Sequence, residues 1–364
     1  MSNNAAGAPA FRGVTRQNVV SLPALAFSGT GASGSIQTVN LPRTGWLQKF
    51  FLTITGTMTT GAGSPSGNWP TWPLMPFGLI QRIRVYTNTN VQIVNLSGAS
   101  LLLVDRTMRP VMTPSQDLIT QGNATNTAAI LATPGSGTPA ANTAYTWSGT
   151  LEVPIATDDT AMLGMLFLQS DRVTLTVEIT FANSTVYAGT VSGVSVTPSF
   201  TIQPTAVMYE QPDDKNIIPN AQYVFSLKED QYGFAATGQQ LIRLPVGNTY
   251  TRIWEQIINN GAPLPYGNMG AGQITYAQTV TPYNESYLNH LARNRSVLGQ
   301  TLPDGVYMWD FASGSGIPTI FEGRDLVNSA QVTDLEVVTN IIGSPTLTNC
   351  YGLVVSQQLQ AIGQ

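Results

Sequence analysis

Two stretches of this chain, nearly two hundred residues apart, repeat one short programme: an apolar strand, a polar cap, then a leucine-bearing turn of helix. Ile93-Val94-Asn95-Leu96-Ser97 leads into Leu101, Val104 and Arg106, and Thr281-Pro282-Tyr283-Asn284 leads into Leu288, Leu291 and Arg293. With Ser97 and Asn284 matched as caps, the later positions follow at one constant offset. From Leu22 onward the chain otherwise reads as short strands separated by turn residues, the spacing of sandwiches and barrels. An all-β unit with one helical insert, written twice in a single chain, leaves few architectures open.

Further markers repeat in the same order. Leu41-Pro42 ahead of the strand Trp46 to Thr55 matches Leu244-Pro245 ahead of Arg252-Ile253-Trp254. Leu168-Gln169-Ser170, followed by Val173-Thr174, matches Val327-Asn328-Ser329, followed by Val332-Thr333. The intervals are longer in the first half, so the first copy carries the larger loops. The division expected is an N-terminal arm with a lead-in strand over 1–36, a first unit over 37–205 and a second over 206–364. The plainest strand is Arg172 to Phe181, with Val173, Leu175, Val177 and Ile179 on one face and Thr174, Thr176, Glu178 and Thr180 on the other. About six strands are clear in each half. Ser184 to Pro204 reads as a Ser/Thr/Val connection, and Thr113 to Ala144 as a long contact loop.

Charged residues make up 10% of the chain and hydrophobic ones 42%; ordinary soluble domains carry about 25% charge. A chain this apolar folds, and a surface this poor in charge invites association with copies of itself. The charges are also uneven: six bases and no acid precede Asp105, and ten bases face twenty acids from there on. Either the N-terminal part meets an anionic partner, or its scattered bases merely offset a neutral region. The single cysteine, Cys350, lies in an apolar strand-like run and reads as a buried thiol. The first residues lack a charged-then-apolar leader, so the expectation is synthesis in the cytoplasm and no membrane-integral segment.

Chemistry-bearing motifs are few in this chain. Gly29-Thr30-Gly31-Ala32-Ser33-Gly34 matches G-x-G-x-x-G, but it opens a strand-like run and is followed by no acid before Asp105, so it does not predict a dinucleotide site. His290, the only histidine, is expected on the surface of the second helix or at an interface, with Glu285 facing elsewhere. The neighbouring carboxylates Asp158-Asp159, Asp213-Asp214 and Glu229-Asp230 read as solvated turns and loops, since strand neighbours point to opposite faces. Trp69 and Trp72, with Tyr145 and Trp147, are loop aromatics that either pack at an interface or form a sugar-binding platform. No catalytic residue, cofactor, metal site or sequence-specific nucleic-acid binding is expected.

In size, composition and duplicated helix-bearing strand units, the chain resembles the double jelly-roll major capsid proteins of the tectivirus-type and adenovirus-hexon lineage, over nearly its whole length. The resemblance implies an all-β fold of two consecutive eight-stranded jelly-roll β-barrels with short helical inserts. It implies a non-enzymatic virion protein that forms pseudo-hexameric homotrimers tiling an icosahedral shell. Its implied partners are neighbouring trimers, penton or minor capsid proteins, and an internal lipid membrane near the arm bearing Arg12 and Arg16. The alternative reading is a carbohydrate- or receptor-binding viral spike or lectin-like β-protein using Trp69 and Trp72.

Overall fold

The computed structural model describes residues 11–29, 32–67, 77–88, 91–108, 138–156, 163–169, 174–184, 191–214, 223–276, 280–298, 302–312 and 326–361. After a short helix α1 (Phe11–Val14), the first half contains β1 (Gln17–Ser21), β2 (Leu25–Ser28), β3 (Ile36–Asn40), β4 (Trp46–Thr60), β5 (Ile80–Thr87) and β6 (Gln92–Leu96). Helix α2 (Gly98–Met108) follows, then β7 (Ala144–Pro154), β8 (Leu166–Phe167), β9 (Leu175–Phe181) and β10 (Val196–Tyr209). The second half contains β11 (Tyr223–Gly233), β12 (Gly238–Arg243), β13 (Thr249–Asn259), β14 (Ala262–Pro263), β15 (Met269–Tyr276) and β16 (Val280–Glu285). Helix α3 (Tyr287–Leu298) then leads to β17 (Val306–Asp310), β18 (Val327–Asn328), β19 (Leu335–Ile341) and β20 (Tyr351–Ala361).

Each half is a jelly roll. In the first, β10 lies between β4 and the pair β1 and β2, with β7 beyond β4; the facing strands run β3, β9, β5, β6. In the second, the order β11, β20, β13, β17 faces the order β12, β19, β15, β16. Counting β1 and β2 as one interrupted strand, each barrel has eight strands plus short additions. A parallel pairing of β6 with β11, Val94 with Leu227 and Asn95 with Lys228, fuses one sheet of each barrel into a continuous ten-stranded sheet.

The alternation read from sequence accounts for the core. In β9 Leu175, Val177, Ile179 and Phe181 are buried and the residues between them half-exposed; Val173 lies outside the described residues. The duplicated Leu-Pro marker is structural: the Leu41 N–H donates to the Leu175 carbonyl and the Leu244 N–H to the Leu335 carbonyl, both at 2.9 Å.

Three expectations need correction. The second helix begins at Tyr287, and Ser286, not Asn284, caps it: Ser286 Oγ accepts from the Asn289 N–H at 3.3 Å, as Ser97 Oγ accepts from Ser100. Asn284 is the penultimate residue of β16, so the matched offset shifts by two residues. Second, the connection expected over Ser184 to Pro204 contains most of β10, a central strand. Its prolines are tolerated because of where they stand. The Pro204 carbonyl accepts from Leu22, in the gap between β1 and β2, and the Pro198 carbonyl accepts from Gly29, just past β2. The donor each proline lacks therefore falls where the neighbouring strand is interrupted or has ended. Third, the boundary expected at 205/206 lies inside β10, which stays paired to the first barrel through Tyr209. Within the segment 1–36, expected as an arm with a lead-in strand, β1 and β2 both pair with β10.

Candidate functional site at the seam between the barrels

Helix α2 carries Leu101-Leu102-Leu103-Val104, apolar on every side, and all four are buried. A stretch of helix that is apolar on every side needs cover all round, and here both barrels supply it. The leucines share one apolar cluster with Phe77 and Ile80 of the first barrel and Trp254, Met308 and Val355 of the second. Polar contacts fix the register. The Trp254 indole N–H donates to Thr107 Oγ1 at 2.8 Å, and that hydroxyl donates back to the Leu103 carbonyl at 2.9 Å. At the other end of the helix, the Ser97 N–H and hydroxyl both donate to Glu229 Oε2 at 2.7 Å.

The same face of the second barrel holds a buried ion pair. Arg252, 1% exposed, donates from Nε to Asp310 Oδ2 at 3.0 Å and from Nη1 to Gln357 Oε1 at 3.1 Å. Thr251 Oγ1 donates to the same Gln357 oxygen at 2.7 Å. Burying a guanidinium is costly unless its donors are matched. Strand β13 is accordingly buried on both faces, with Ile253 and Ile257 toward its own barrel and Arg252 and Trp254 toward the seam.

His290 corrects the surface expectation. It is fully buried against Tyr307 and Trp309, at ring-centre distances of 5.5 and 5.3 Å. The Met308 N–H donates to Nε2 at 2.8 Å, so that nitrogen carries the lone pair and Nδ1–H donates to Glu285 Oε1, also at 2.8 Å. Glu285 ends β16 rather than starting the helix, and from there it reaches both His290 and Arg293, the latter at 2.7 Å. Burial lowers the imidazole pKa against the pull of Glu285. Burial alone would raise the Glu285 carboxyl, but hydrogen bonds from His290 and Arg293 and the charge of Arg293 bring it down to about 2. His290→Leu is expected to cost about 2 kcal/mol in urea unfolding, because the Met308 N–H is left buried without an acceptor. A loss below about 0.5 kcal/mol would show that this hydrogen bond carries no weight.

The sequence-predicted site residues do not converge. Arg16 is exposed and its carbonyl accepts from the Glu210 N–H at 2.9 Å, while Thr15 Oγ1 donates to the Glu210 carbonyl. Arg12 lies in α1, its side chain outside the described residues, as are Trp69, Trp72, Asp158 and Asp159. Tyr145 packs against the first core and its hydroxyl accepts from the Ala140 N–H at 2.7 Å, a packing role. Past Gly34 the glycine-rich run leads into β3, a strand, and its Thr30 and Gly31 lie outside the described residues. Two bases of the N-terminal excess meet later acids: Lys49 pairs with Glu152 at 3.3 Å and Arg84 with Glu178 at 3.1 Å. Cys350 is buried. Among the described residues, no helix is long and apolar enough to cross a membrane, and no group of three or more His, Cys, Asp or Glu gathers as metal ligands.

No family model matches the chain, and no curated protein matches it. Solved structures do. The chain is similar to the major capsid protein of STIV, Sulfolobus turreted icosahedral virus, with a TM-score of 0.67 at 14% identity over 94% of this chain and 96% of that one. It is similar to the PBCV-1 virus capsid, with a TM-score of 0.62 at 10% identity over 95% and 93%. It is similar to the major capsid protein P2 from bacteriophage PM2, with a TM-score of 0.53 at 10% identity over 96% and 99%. At these identities the likeness shows the fold, a double jelly roll end to end.

Proposed function

We propose that this chain is the major capsid subunit of an icosahedral virus, a structural protein that closes into homotrimers of near-hexagonal outline and tiles the virion shell. The observation that carries the reading is the fusion of two jelly rolls into one continuous sheet, in an arrangement that matches capsid chains over more than nine-tenths of both partners. The low charge supports it: a shell subunit meets its neighbours over large areas, and 10% charge leaves little surface that must stay wet. Two barrels per chain let three chains present six similar units. Obligate interfaces of this kind bury roughly 2,000–5,000 Å².

In the same reading, the arm bearing Arg12 and Arg16 lies toward an internal anionic lipid layer, supported by the absence of any acid before Asp105. Penton or minor capsid proteins are the other partners. The mechanism is assembly and involves no catalysis. Among the described residues nothing favours a carbohydrate- or receptor-binding spike. Light scattering of the purified protein at micromolar concentration is expected to give three times the chain mass, with near-hexagonal outlines by negative-stain electron microscopy. A stable monomer under those conditions would refute the assignment.

A further inference from the structure

Helices α2 and α3 begin alike. The Leu101 N–H donates to the Ser97 carbonyl and the His290 N–H to the Ser286 carbonyl, both at 2.9 Å, four residues past equivalent caps. The first copy of the unit therefore seats its helix on a leucine, and the second on the only histidine in the chain. Tyr287, His290, Asn294 and Leu298 are the buried residues of α3, spaced along one side of the helix.

Two of them hold the edge of the barrel. Among the described residues β17 pairs with β13 alone, and Met308 turns its N–H and carbonyl toward α3. The Met308 N–H donates to His290 Nε2 at 2.8 Å, and Asn294 Nδ2 donates to the Met308 carbonyl at 3.1 Å. The first of these bonds exists only while Nε2 keeps its lone pair. A proton there would set two N–H groups face to face, with the Met308 carbonyl already taken by Asn294. The other ring nitrogen gives no relief: its hydrogen is held by Glu285 at 2.8 Å, and Arg293 Nη2 stands 3.5 Å away. The seated helix thus excludes the imidazolium.

We infer that α3 is an acid-released latch: protonation of His290 at Nε2 breaks its bond to Met308 and lets the helix lift from β17 while the sheets of the barrel stay folded. The latch belongs to a single chain and does not depend on how chains assemble. The titratable and charged groups around the ring are Glu285 at the end of β16, Arg293 and Tyr287 on α3, and Tyr307 on β17. Glu255 of β13 and Asp304 ahead of β17 bear on Tyr307 and Tyr287. Strand β15, also packed on α3, adds only Tyr276. Glu285 stays ionised down to about pH 2, and burial keeps the three tyrosines neutral. Between pH 7.5 and 5 the charge change at this joint is therefore that of His290. Burial holds the seated imidazole below its ordinary value against the pull of Glu285, and release restores that value. Each unit of pH below it then favours the lifted helix by up to about tenfold.

The test is amide hydrogen exchange, read by mass spectrometry on the full-length protein at pH 7.5 and pH 5 and corrected for the intrinsic pH dependence of exchange. Protection of α3 is expected to fall at least about tenfold at pH 5, while β13 and β20 of the same barrel keep theirs. Because the chain has one histidine, carbon-13 labelling of histidine gives a single titrating ring signal by NMR, whose midpoint should coincide with the loss of protection. His290→Gln, which can accept from Met308 and donate to Glu285 without titrating, is expected to keep α3 protected at both pH values. If that variant does not fold, the coincidence of the two midpoints in the parent decides. Protection of α3 that persists to pH 5, that is lost equally in His290→Gln, or that is lost together with β13 and β20 would overturn the latch.

Discussion

Trp254→Ala is expected to destabilise the chain by about 3–5 kcal/mol, the range for deleting a fully buried large aromatic side chain. Trp254 has no exposed surface and ties strand β13 of the second barrel to α2: its ring belongs to the cluster built around α2, and its indole N–H holds Thr107. Removing it opens a void between two barrels that are also joined by the apolar contacts of Met308 and Val355 with the cluster around α2, one short parallel pairing and the cap contact from Ser97 to Glu229. Urea unfolding followed by tryptophan fluorescence and circular dichroism should therefore change in shape as well as midpoint. The parent chain is expected to unfold in one transition, and the variant in two, as the barrels lose their coupling. Phe51→Ala serves as the internal control, because Phe51, on β4 of the first barrel, is only half-buried. Equal losses at the two positions would mean that α2 contributes no special cover to the second barrel.

The duplication was legible in the sequence because its markers are turn and strand-end residues, whose chemistry is local. Leu41-Pro42 and Leu244-Pro245 end equivalent strands for the same reason, a carbonyl on the facing strand at a fixed place. The helix register slipped by two because Asn284 and Ser286 are both good caps, and only the continuation of β16 through Glu285 decides between them. That slip also misplaced His290: helix geometry set Glu285 on another face, whereas a residue at the end of a strand is not bound by helical spacing. Strand β10 was hidden by its two prolines, and β15 by the small residues of Met-Gly-Ala-Gly. The seam could not be read at all. Arg252-Ile253-Trp254-Glu255-Gln256 looks like a strand with one wet face, and its burial depends on a helix nearly 150 residues earlier in the chain. The pairing of two of the six N-terminal bases, Lys49 with Glu152 and Arg84 with Glu178, was hidden for the same reason, because the partners are distant in sequence.

Glu255 gives the second large effect, and its sign follows from where it sits. The side chain is fully buried inside the second barrel, where Thr339 Oγ1 donates to Oε1 at 3.2 Å. Burial raises its pKa to about 8, and the Thr339 hydrogen bond only partly offsets this. The folded chain therefore keeps a proton that the unfolded chain releases near the ordinary carboxylate value. The stability this contributes is complete below that value, declines as pH rises, and is gone once pH passes about 8. The loss between pH 5 and pH 9 is on the order of 4 kcal/mol, about 1.4 kcal/mol of it above pH 7. Two other groups act in the opposite direction at lower pH. The lowered His290 costs stability as pH falls below the free imidazole value, and the lowered Glu285 as pH falls from the free carboxylate value toward about 2. The interval from pH 7 to 9 is therefore where Glu255 stands clear of both. Glu255→Gln keeps the size and a partner for Thr339 and removes the titration. The variant is expected to match the parent near pH 5 and to melt on the order of 5 °C higher at pH 9. Melting curves that fall in parallel between pH 7 and 9 would show that Glu255 does not hold its proton in the folded barrel.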